Sequence, residues 1–427
     1  MIRELESRPV VRRVAVVVFF FAVLANDPSV VAADWPQWRG PLGNGIAVNA
    51  KSAEGKLPPL EFGLEKNVAW KTKFPGRGHG SPTIVGDRIF LATADEEKMT
   101  QSVLAVDRNS GKIVWNQPVF VSSELPKIHN KNTHASSTVA CDGERLFATF
   151  YSQKQIRICC LSVEGKKVWA KDLSSFKPKY PFGYAASPLI FENAVIATAE
   201  SDNENALVSL DRKTGKEIWR TQRPKNSSYS SPALLRVGGR MQLCISGGRE
   251  ICAYDPATGK QLWKAPGAAK HTAGTVVGDE DYVLASGGYP QSETTCIRAD
   301  GSGKVVWTKK QKCYEQSLLV TGGYVYAVTD GGVAYCWDVS NGEEKWKKRL
   351  AGPVSASPVL VGDRIYAANE KGEIFVFRAR PDKYEVLAQN QLGDDVFPTP
   401  TFLDGQIFAR VGFRKGEVRE EMLFCFE

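Results

Sequence analysis

The sequence predicts an all-β protein, an eight-bladed β-propeller of four-stranded antiparallel blades, closed by an N-terminal strand that completes the last blade. Three observations predict it. A tryptophan recurs behind a short glycine turn, a Ser-Pro motif recurs between the tryptophans, and the two ends of the chain carry complementary parts of one unit. A fixed period of this kind indicates an array of one supersecondary unit, which determines the architecture.

The tryptophan motif is clearest in LAVDRNSGKIVW (residues 104–115), SLDRKTGKEIW (209–219) and AYDPATGKQLW (253–263). Weaker copies end at Trp169, Trp307 and Trp346. Alternating apolar residues on both sides of a two- or three-residue Gly/Asn/Asp turn are typical of a β-hairpin. Each copy therefore predicts the last two strands of a blade, C and D, with the tryptophan on strand D.

The second motif supplies strands A and B. It is clearest in SPTIVGDRIFLAT from Ser81 and SPVLVGDRIYAAN from Ser357, where two apolar stretches flank a Gly-Asp turn. Aligned on this motif, the eight units begin at Ser81, Ser136, Ser187, Ser231, Ala273, Ser317, Ser357 and Thr399. Four antiparallel strands repeated every 40 to 55 residues predict propeller blades.

The ends of the chain predict how the ring closes. The last unit has strands A, B and C but no strand D, and the missing strand is found before the first unit at residues 67–74, with Trp70 in the tryptophan place. Closure protects edges that an open array would leave unpaired. Leu387 stands at the tryptophan place of unit seven. We expect the seven tryptophans to be wedges between blades: Trp70, Trp115, Trp169, Trp219, Trp263, Trp307 and Trp346.

The repeated AxD-xx-TGKxxW pattern resembles the pyrroloquinoline-quinone (PQQ) type propeller repeat over about residues 67–427. The segment DWPQWRGPLGNG (residues 34–45) is similar to the opening of exported propellers of this type from planctomycete-like bacteria. The resemblance implies two kinds of relative. Some are PQQ-dependent alcohol and sugar dehydrogenases with calcium in a central funnel. Others are non-catalytic, among them the eight-bladed scaffold subunit of the outer-membrane β-barrel assembly machinery.

The N-terminus predicts export. Arg12 and Arg13 precede an apolar run of about a dozen residues, and Val31-Ala32-Ala33 offers small residues for cleavage near Ala33. The alternative is a single membrane anchor, but the run is shorter than the roughly 20 residues that span a bilayer. We therefore divide the chain into a signal peptide (1–33), an N-terminal arm packed on the propeller (34–66) and the propeller (67–427). The expected location is periplasmic or secreted, with no integral membrane segment after cleavage.

Charge and cysteine content add two further expectations. The net charge is +8, and the lysines and arginines are spread along the chain, so a solvated basic surface is favoured over nucleic-acid binding. Nine cysteines in an exported chain suggest disulfides. However, Cys160, Cys296, Cys336 and Cys425 fall level with Ala105 in the repeat, which favours buried free thiols. A vicinal disulfide between Cys159 and Cys160 stays open.

Candidate functional residues come from the loops. The D–A and B–C connections share one face, the A–B and C–D turns share the other, and we expect the long loops and a central funnel on the first face. The place two residues before each Ser-Pro serine is predicted to ring that funnel. We expect the following residues to line a binding funnel there: His79, His134, Tyr229, His271 and Glu315.

Histidine and glutamate suit metal ligation and acid–base chemistry, but His79 and His134 lie across the predicted ring from His271 and Glu315. Polar channel lining is therefore favoured, and no metal site or catalytic residue is assigned.

The sequence favours a non-catalytic, monomeric scaffold that binds a protein or cell-envelope polymer through the loop face, with no cofactor and no nucleic acid. Two alternatives stay open. One is a quinoprotein alcohol or sugar dehydrogenase with PQQ and calcium, and the other is a carbohydrate-active enzyme with its site in the funnel.

Overall fold

The structure is a computed structural model that describes residues 34–201, 204–224, 228–416 and 418–427. It contains eight four-stranded antiparallel sheets, and the first strands of neighbouring sheets contact one another around a common axis. The predicted eight-bladed propeller is therefore confirmed. The predicted signal peptide lies outside the described residues. Within the described part of the chain there is no helix with the length and hydropathy needed to cross a membrane.

Blades 1 to 4 follow one another along the chain, with strands A to D running from the axis outward. Blade 1 comprises β2 (Thr83–Val85), β3 (Arg88–Asp95), β4 (Thr100–Asp107) and β5 (Ile113–Val121). Blade 2 comprises β6 (Ala140–Cys141), β7 (Arg145–Ser152), β8 (Gln155–Ser162) and β9 (Lys167–Ser175). Blade 3 comprises β10 (Leu189–Phe191), β11 (Ala194–Glu200), β12 (Asn205–Asp211) and β13 (Glu217–Gln222). Blade 4 comprises β14 (Ala233–Val237), β15 (Arg240–Gly247), β16 (Glu250–Tyr254) and β17 (Gln261–Pro266).

Blades 5 to 8 repeat the arrangement. Blade 5 comprises β18 (Val277–Gly278), β19 (Tyr282–Gly287), β20 (Glu293–Arg298) and β21 (Val305–Lys309). Blade 6 comprises β22 (Leu319–Thr321), β23 (Tyr324–Val328), β24 (Val333–Asp338) and β25 (Glu344–Arg349). Blade 7 comprises β26 (Val359–Val361), β27 (Arg364–Ala368), β28 (Glu373–Arg378) and β29 (Val386–Gln391). Blade 8 comprises β30 (Thr401–Leu403), β31 (Gln406–Lys415), β32 (Val418–Phe426) and, as its outer strand, β1 (Val68–Phe74).

The N-terminal strand closes the ring, as predicted, because β1 pairs antiparallel with β32 at the end of the chain. Trp70 lies opposite Cys425. In the same way, Trp115 lies opposite Ala105 in blade 1 and Trp169 lies opposite Cys160 in blade 2. A register shift lies just before this position in all eight C–D pairs. Such a bulge re-aims the following side chain.

The tryptophans connect successive blades. Each indole except that of Trp263 donates its N–H to a backbone carbonyl of the next blade's C–D turn, as Trp70 does to Arg108 and Trp115 to Val163. Trp263 instead donates to the side chain of Gln242 in its own blade (2.8 Å). These bonds satisfy a polar atom that would otherwise be costly to bury.

The small residue opposite each tryptophan explains the cysteine pattern. All nine thiols are free and buried, and burial raises the pKa of Cys159 to about 12. Neighbouring side chains on a strand point to opposite faces, so Cys159 packs with Phe90 of blade 1 while Cys160 packs with Val195 of blade 3. The structure therefore holds these two as separate core thiols, and the vicinal-disulfide alternative does not fit their geometry.

The register of blade 7 corrects one expectation. Val376 pairs with Ala388, so Ala388 holds the tryptophan place and Leu387 is the bulged residue before it. The N-terminal arm packs here instead of an indole. Phe62 is buried, its ring lies 5.0 Å from that of Phe426, and its backbone N–H donates to Asn390. Residues of the arm therefore fill the junction between blades 7 and 8.

The first part of the arm crosses the face that carries the A–B turns. Trp35 exchanges backbone hydrogen bonds with Ile84 of blade 1, and Ala47 donates to Leu360 of blade 7. Between these contacts, the buried Arg39 donates to the carbonyl of Leu318 in blade 6 (2.7 Å), and burial lowers its pKa to about 9. The arm thus runs across the end of the central channel on this face.

Candidate functional site

A ring of hydroxyl groups surrounds the axis and defines the true register of the inner strands. The backbone N–H of Ser81 donates to Thr138, Thr138 to Ser187, and Ser187 to Ser231. Thr275 continues the ring by donating to Ser317, which donates to Ser357, and Ser357 donates to Thr399. These bonds are 2.9–3.0 Å long. Six of these hydroxyl groups therefore accept a hydrogen bond from the start of the preceding blade.

This ring corrects the alignment in two blades. Thr138 and Thr275 are the equivalents of the Ser-Pro serines, rather than Ser136 and Ala273. The ring position two residues earlier is accordingly held by His79, Ser136, Ala185, Tyr229, Ala273, Glu315, Ser355 and Phe397. All eight of these residues line one central cavity of about 280 Å³. Within that volume they are close enough to contact a single small ligand.

The structure brings His79, Tyr229 and Glu315 to this cavity, and His134 and His271 are not among the residues that line it. The backbone of His134 accepts a hydrogen bond from Gln101, and His271 is buried beside Tyr289, with ring centroids 5.6 Å apart. Both histidines lie four residues before the ring hydroxyl instead of two. The prediction that these two histidines share one position with His79 was wrong. Neither of their blades has the Ser-Pro pair that marks the register.

Two long D–A connections form a roof over the cavity. Strap 1 (residues 122–139) reaches across to blade 7, where Lys131 pairs with Glu370 (2.9 Å). Strap 2 (residues 176–188) leans toward blade 5, where the ring of Tyr180 lies 6.3 Å from that of His271. Asn132 of strap 1 donates to the carbonyl of Phe182 in strap 2 (2.6 Å). The straps are thus joined to each other and to blades 7 and 5.

The floor of the cavity is the indole of Trp38 from the N-terminal arm. Its N–H donates to the hydroxyl of Thr275 (2.8 Å), a contact between residues 237 positions apart in the chain. Among the described residues, the backbone N–H of Ser231 makes no hydrogen bond to the hydroxyl of Thr275. The indole of Trp38 is the donor to that hydroxyl instead. The cavity is therefore bounded by the arm on one side and by the straps on the other.

His79 forms a neutral wall of the cavity. Burial lowers the pKa of its imidazole well below 6.5, and Arg419, Arg77 and Arg410 lower it further. The ring stacks on Phe397 with centroids 4.5 Å apart. Its Nε2 is buried without a hydrogen-bond partner among the described residues. A ligand in the cavity could supply that partner.

Glu315 lines the cavity, and Glu370 lies close to it. The hydroxyl of Ser355 donates to Glu370 (2.7 Å) and lies close to Glu315. Glu315 faces the cavity, but protein surrounds it on most sides, and this desolvation raises the pKa of its carboxyl group. The nearby carboxylates of Glu370 and Asp330 raise it further.

The lining does not fit PQQ with calcium. PQQ carries three carboxylate groups, which need cationic partners, whereas the one lysine in the lining already pairs with Glu370 and the other charged residue is Glu315. Across the described ranges, no group of three or more His, Cys, Asp and Glu residues is arranged to hold a metal ion.

Several lining residues are absent from the sequence prediction. Trp38, Lys131, Phe182 and Tyr314 line the cavity, and Glu370 holds Lys131 there. Lys131 and Phe182 belong to the two longest D–A connections, which is the signal that could have indicated them.

Comparison with known proteins places this chain in a family. A family model described as outer membrane protein assembly factor BamB matches residues 64–117, 99–348 and 298–382. The chain belongs to the BamB family. BamB of Bordetella pertussis is 23% identical over 374 residues, which cover 82% of this chain and 86% of that protein.

The BamB family shares its fold with enzymes. A polyvinylalcohol dehydrogenase from a Pseudomonas species is 23% identical over 315 residues, and the match covers 63% of this chain but only 44% of that protein. Among solved structures, BamB from Moraxella catarrhalis has a TM-score of 0.59 at 16% identity and covers 84% of this chain and 99% of that one. A europium-containing methanol dehydrogenase has a TM-score of 0.67 at 12% identity, over 94% and 100%. These structural similarities establish the fold alone.

Proposed function

We propose that this BamB-family protein is an exported, non-catalytic scaffold that binds a protein or cell-envelope polymer partner through its loop face. The family membership supports an assembly role, because the matching family is described as an outer membrane protein assembly factor. The basic and apolar N-terminal pattern with small residues near Ala33 supports export to the periplasm or beyond.

The observation that carries the proposal is the braced pair of straps on the loop face. Strap 1 presents the exposed residues Ser123, Glu124, Lys127 and Asn130. The Lys131–Glu370 ion pair and the Asn132–Phe182 hydrogen bond hold it in place. Loops fixed on a rigid scaffold are suited to binding, because little conformational entropy is lost when a partner docks.

The lining supports neither enzymatic alternative. Its charges do not match PQQ, as described above. Among the described residues, Glu315 is the one carboxyl group in the lining, and the nearby Glu370 lies on the same side, next to Ser355. A glycosidase instead needs two carboxyl groups that flank the scissile bond.

Site-specific photo-crosslinking in the native cell tests the scaffold role. A photoreactive amino acid at Lys127 on strap 1 should give a discrete crosslinked species. The same amino acid at Glu280, which is exposed in the A–B turn of blade 5 on the opposite face, should not. Crosslinks from Glu280 alone would contradict the assignment of the loop face. Reproducible turnover of alcohols or sugars by the purified protein with PQQ, calcium and an artificial acceptor would contradict the absence of catalysis.

A further inference from the structure

The central cavity has aromatic walls on several sides. The rings of Trp38, Phe182, Tyr229, Tyr314 and Phe397 line it, and the rings of Phe182 and Tyr229 meet edge to face with centroids 5.9 Å apart. The faces of aromatic rings carry negative electrostatic potential and attract cations, most strongly where water is excluded.

The cavity also holds a carboxyl group that has no ion-pair partner in the described part of the chain. Among the described residues, no lysine or arginine nitrogen lies within ion-pairing distance of Glu315, whereas Lys131 is held by Glu370 and Lys312 by Asp330. The opposite wall adds no compensating charge, because burial and neighbouring arginines keep His79 neutral. Glu315 is thus a carboxyl group in an aromatic cavity with no cation of its own.

We propose that the central cavity binds a small organic cation, an alkylammonium or quaternary ammonium group, with the charge beside Glu315 and the alkyl groups against Tyr229 and Phe397. The combination of one carboxylate and several aromatic faces is what such a cation needs, since it can make few directional hydrogen bonds. The volume of about 280 Å³ accommodates a compact ligand.

The chain contains its own competitor for this site. The ammonium group of Lys131 enters the lining from strap 1 and lies 2.9 Å from Glu370. Its positive charge also lowers the electrostatic attraction that Glu315 offers to a second cation. Removing the Lys131 charge should therefore strengthen binding of an external cation, whereas it would leave binding of a neutral ligand unchanged.

Calorimetric titration of the purified protein with choline tests the proposal, with 3,3-dimethylbutan-1-ol as the neutral molecule of the same shape. We expect choline to bind and the neutral alcohol not to bind. Glu315→Gln should weaken choline binding by about tenfold or more. Lys131→Gln should strengthen it by about fivefold. Glu280→Gln, an exposed change on the opposite face, should leave the affinity unchanged.

Three results would overturn the proposal. Equal binding of the neutral alcohol would show that shape alone is recognised. An unchanged affinity in Glu315→Gln would remove the carboxylate from the site, provided that its thermal unfolding matches that of the parent protein. Absence of binding to both the parent protein and Lys131→Gln at millimolar choline would exclude a cation site. None of these results bears on the crosslinking test of the loop face.

Discussion

At the scale of single residues, the feature that recurs from blade to blade is a contact between a glycine and an indole ring. The glycine of each complete C–D turn has a positive φ and lies against the tryptophan of the preceding blade, as Gly111 does against Trp70 and Gly165 against Trp115. A Cβ atom on Gly111 would lie 2.5 Å from Cε3 of Trp70. The motif therefore needs glycine both for its backbone conformation and for the space that the indole occupies.

Gly111→Ala should lower the free energy of unfolding by about 2–4 kcal/mol, because a left-handed alanine and a displaced indole are both unfavourable. Gly86→Ala is the matched control. Gly86 also has a positive φ, but a methyl group added there would meet no atom within 4 Å, so only about 1 kcal/mol should be lost. Urea denaturation measures both, and equal losses would contradict a role for the indole contact.

The imidazole of His79 should make the protein less stable in acid. Its pKa is well below 6.5 in the folded state, so the unfolded chain binds more protons below pH 6.5, and the free energy of unfolding falls as pH falls. The loss is up to about 1.4 kcal/mol per pH unit. His79→Gln should reduce this dependence between pH 7 and 5.5, measured by urea denaturation. An unchanged slope would show that folding does not lower the pKa of His79.

At the scale of elements, the N-terminal arm is part of the propeller core. It supplies the floor of the cavity through Trp38 and fills the junction between blades 7 and 8 through Phe62. Asn390 both accepts from the backbone of Phe62 and donates to the carbonyl of Leu60 (3.0 Å each). The place that lacks a tryptophan is thus the place that the arm covers, and Ala388 leaves room for it.

Phe62→Ala should lower the free energy of unfolding by about 3–5 kcal/mol, as expected for a large cavity in a buried cluster. Leu64→Ala is the control, since Leu64 lies two residues away and is 36% exposed. It should cost less than about 1 kcal/mol. Chemical denaturation compares them, and similar small effects in both would show that the arm contributes little to the junction.

At the scale of the whole molecule, the ring is closed by the pairing of β1 with β32 and by a buried ion pair beside it. Arg410 and Glu421 pair at 2.5 Å, with both side chains 1% exposed. Arg410 also donates to the carbonyl of Ala92 in blade 1 (2.8 Å). The pair therefore links the last blade to the first. The covalent link between these two blades is the short connection from β1 to β2.

Glu421→Gln should lower the free energy of unfolding by about 3–5 kcal/mol, because it leaves a buried guanidinium without its counter-charge. Glu420→Gln at the adjacent position removes a carboxylate that pairs with the exposed Lys73. That change should cost less than about 1 kcal/mol. Thermal unfolding separates the two, and equal stability of both variants would contradict a closing role for the buried pair.

Local sequence patterns were sufficient to predict the fold, the blade count and the way the ring closes. These features follow from consecutive residues, because a hairpin turn, an alternating strand and a repeated tryptophan are all local. The positions of Trp70, His79, Tyr229 and Glu315 could be predicted for the same reason, since each belongs to a clear copy of the repeat.

The remaining features of the site depend on tertiary structure. Thr138 and Thr275 take their places through hydrogen bonds between blades, which no local pattern marks, and this removed His134 and His271 from the cavity. The straps and the arm bring Lys131, Phe182 and Trp38 to the axis from distant parts of the chain. Contacts between residues far apart in sequence depend on packing geometry, and a period in the sequence carries no information about them.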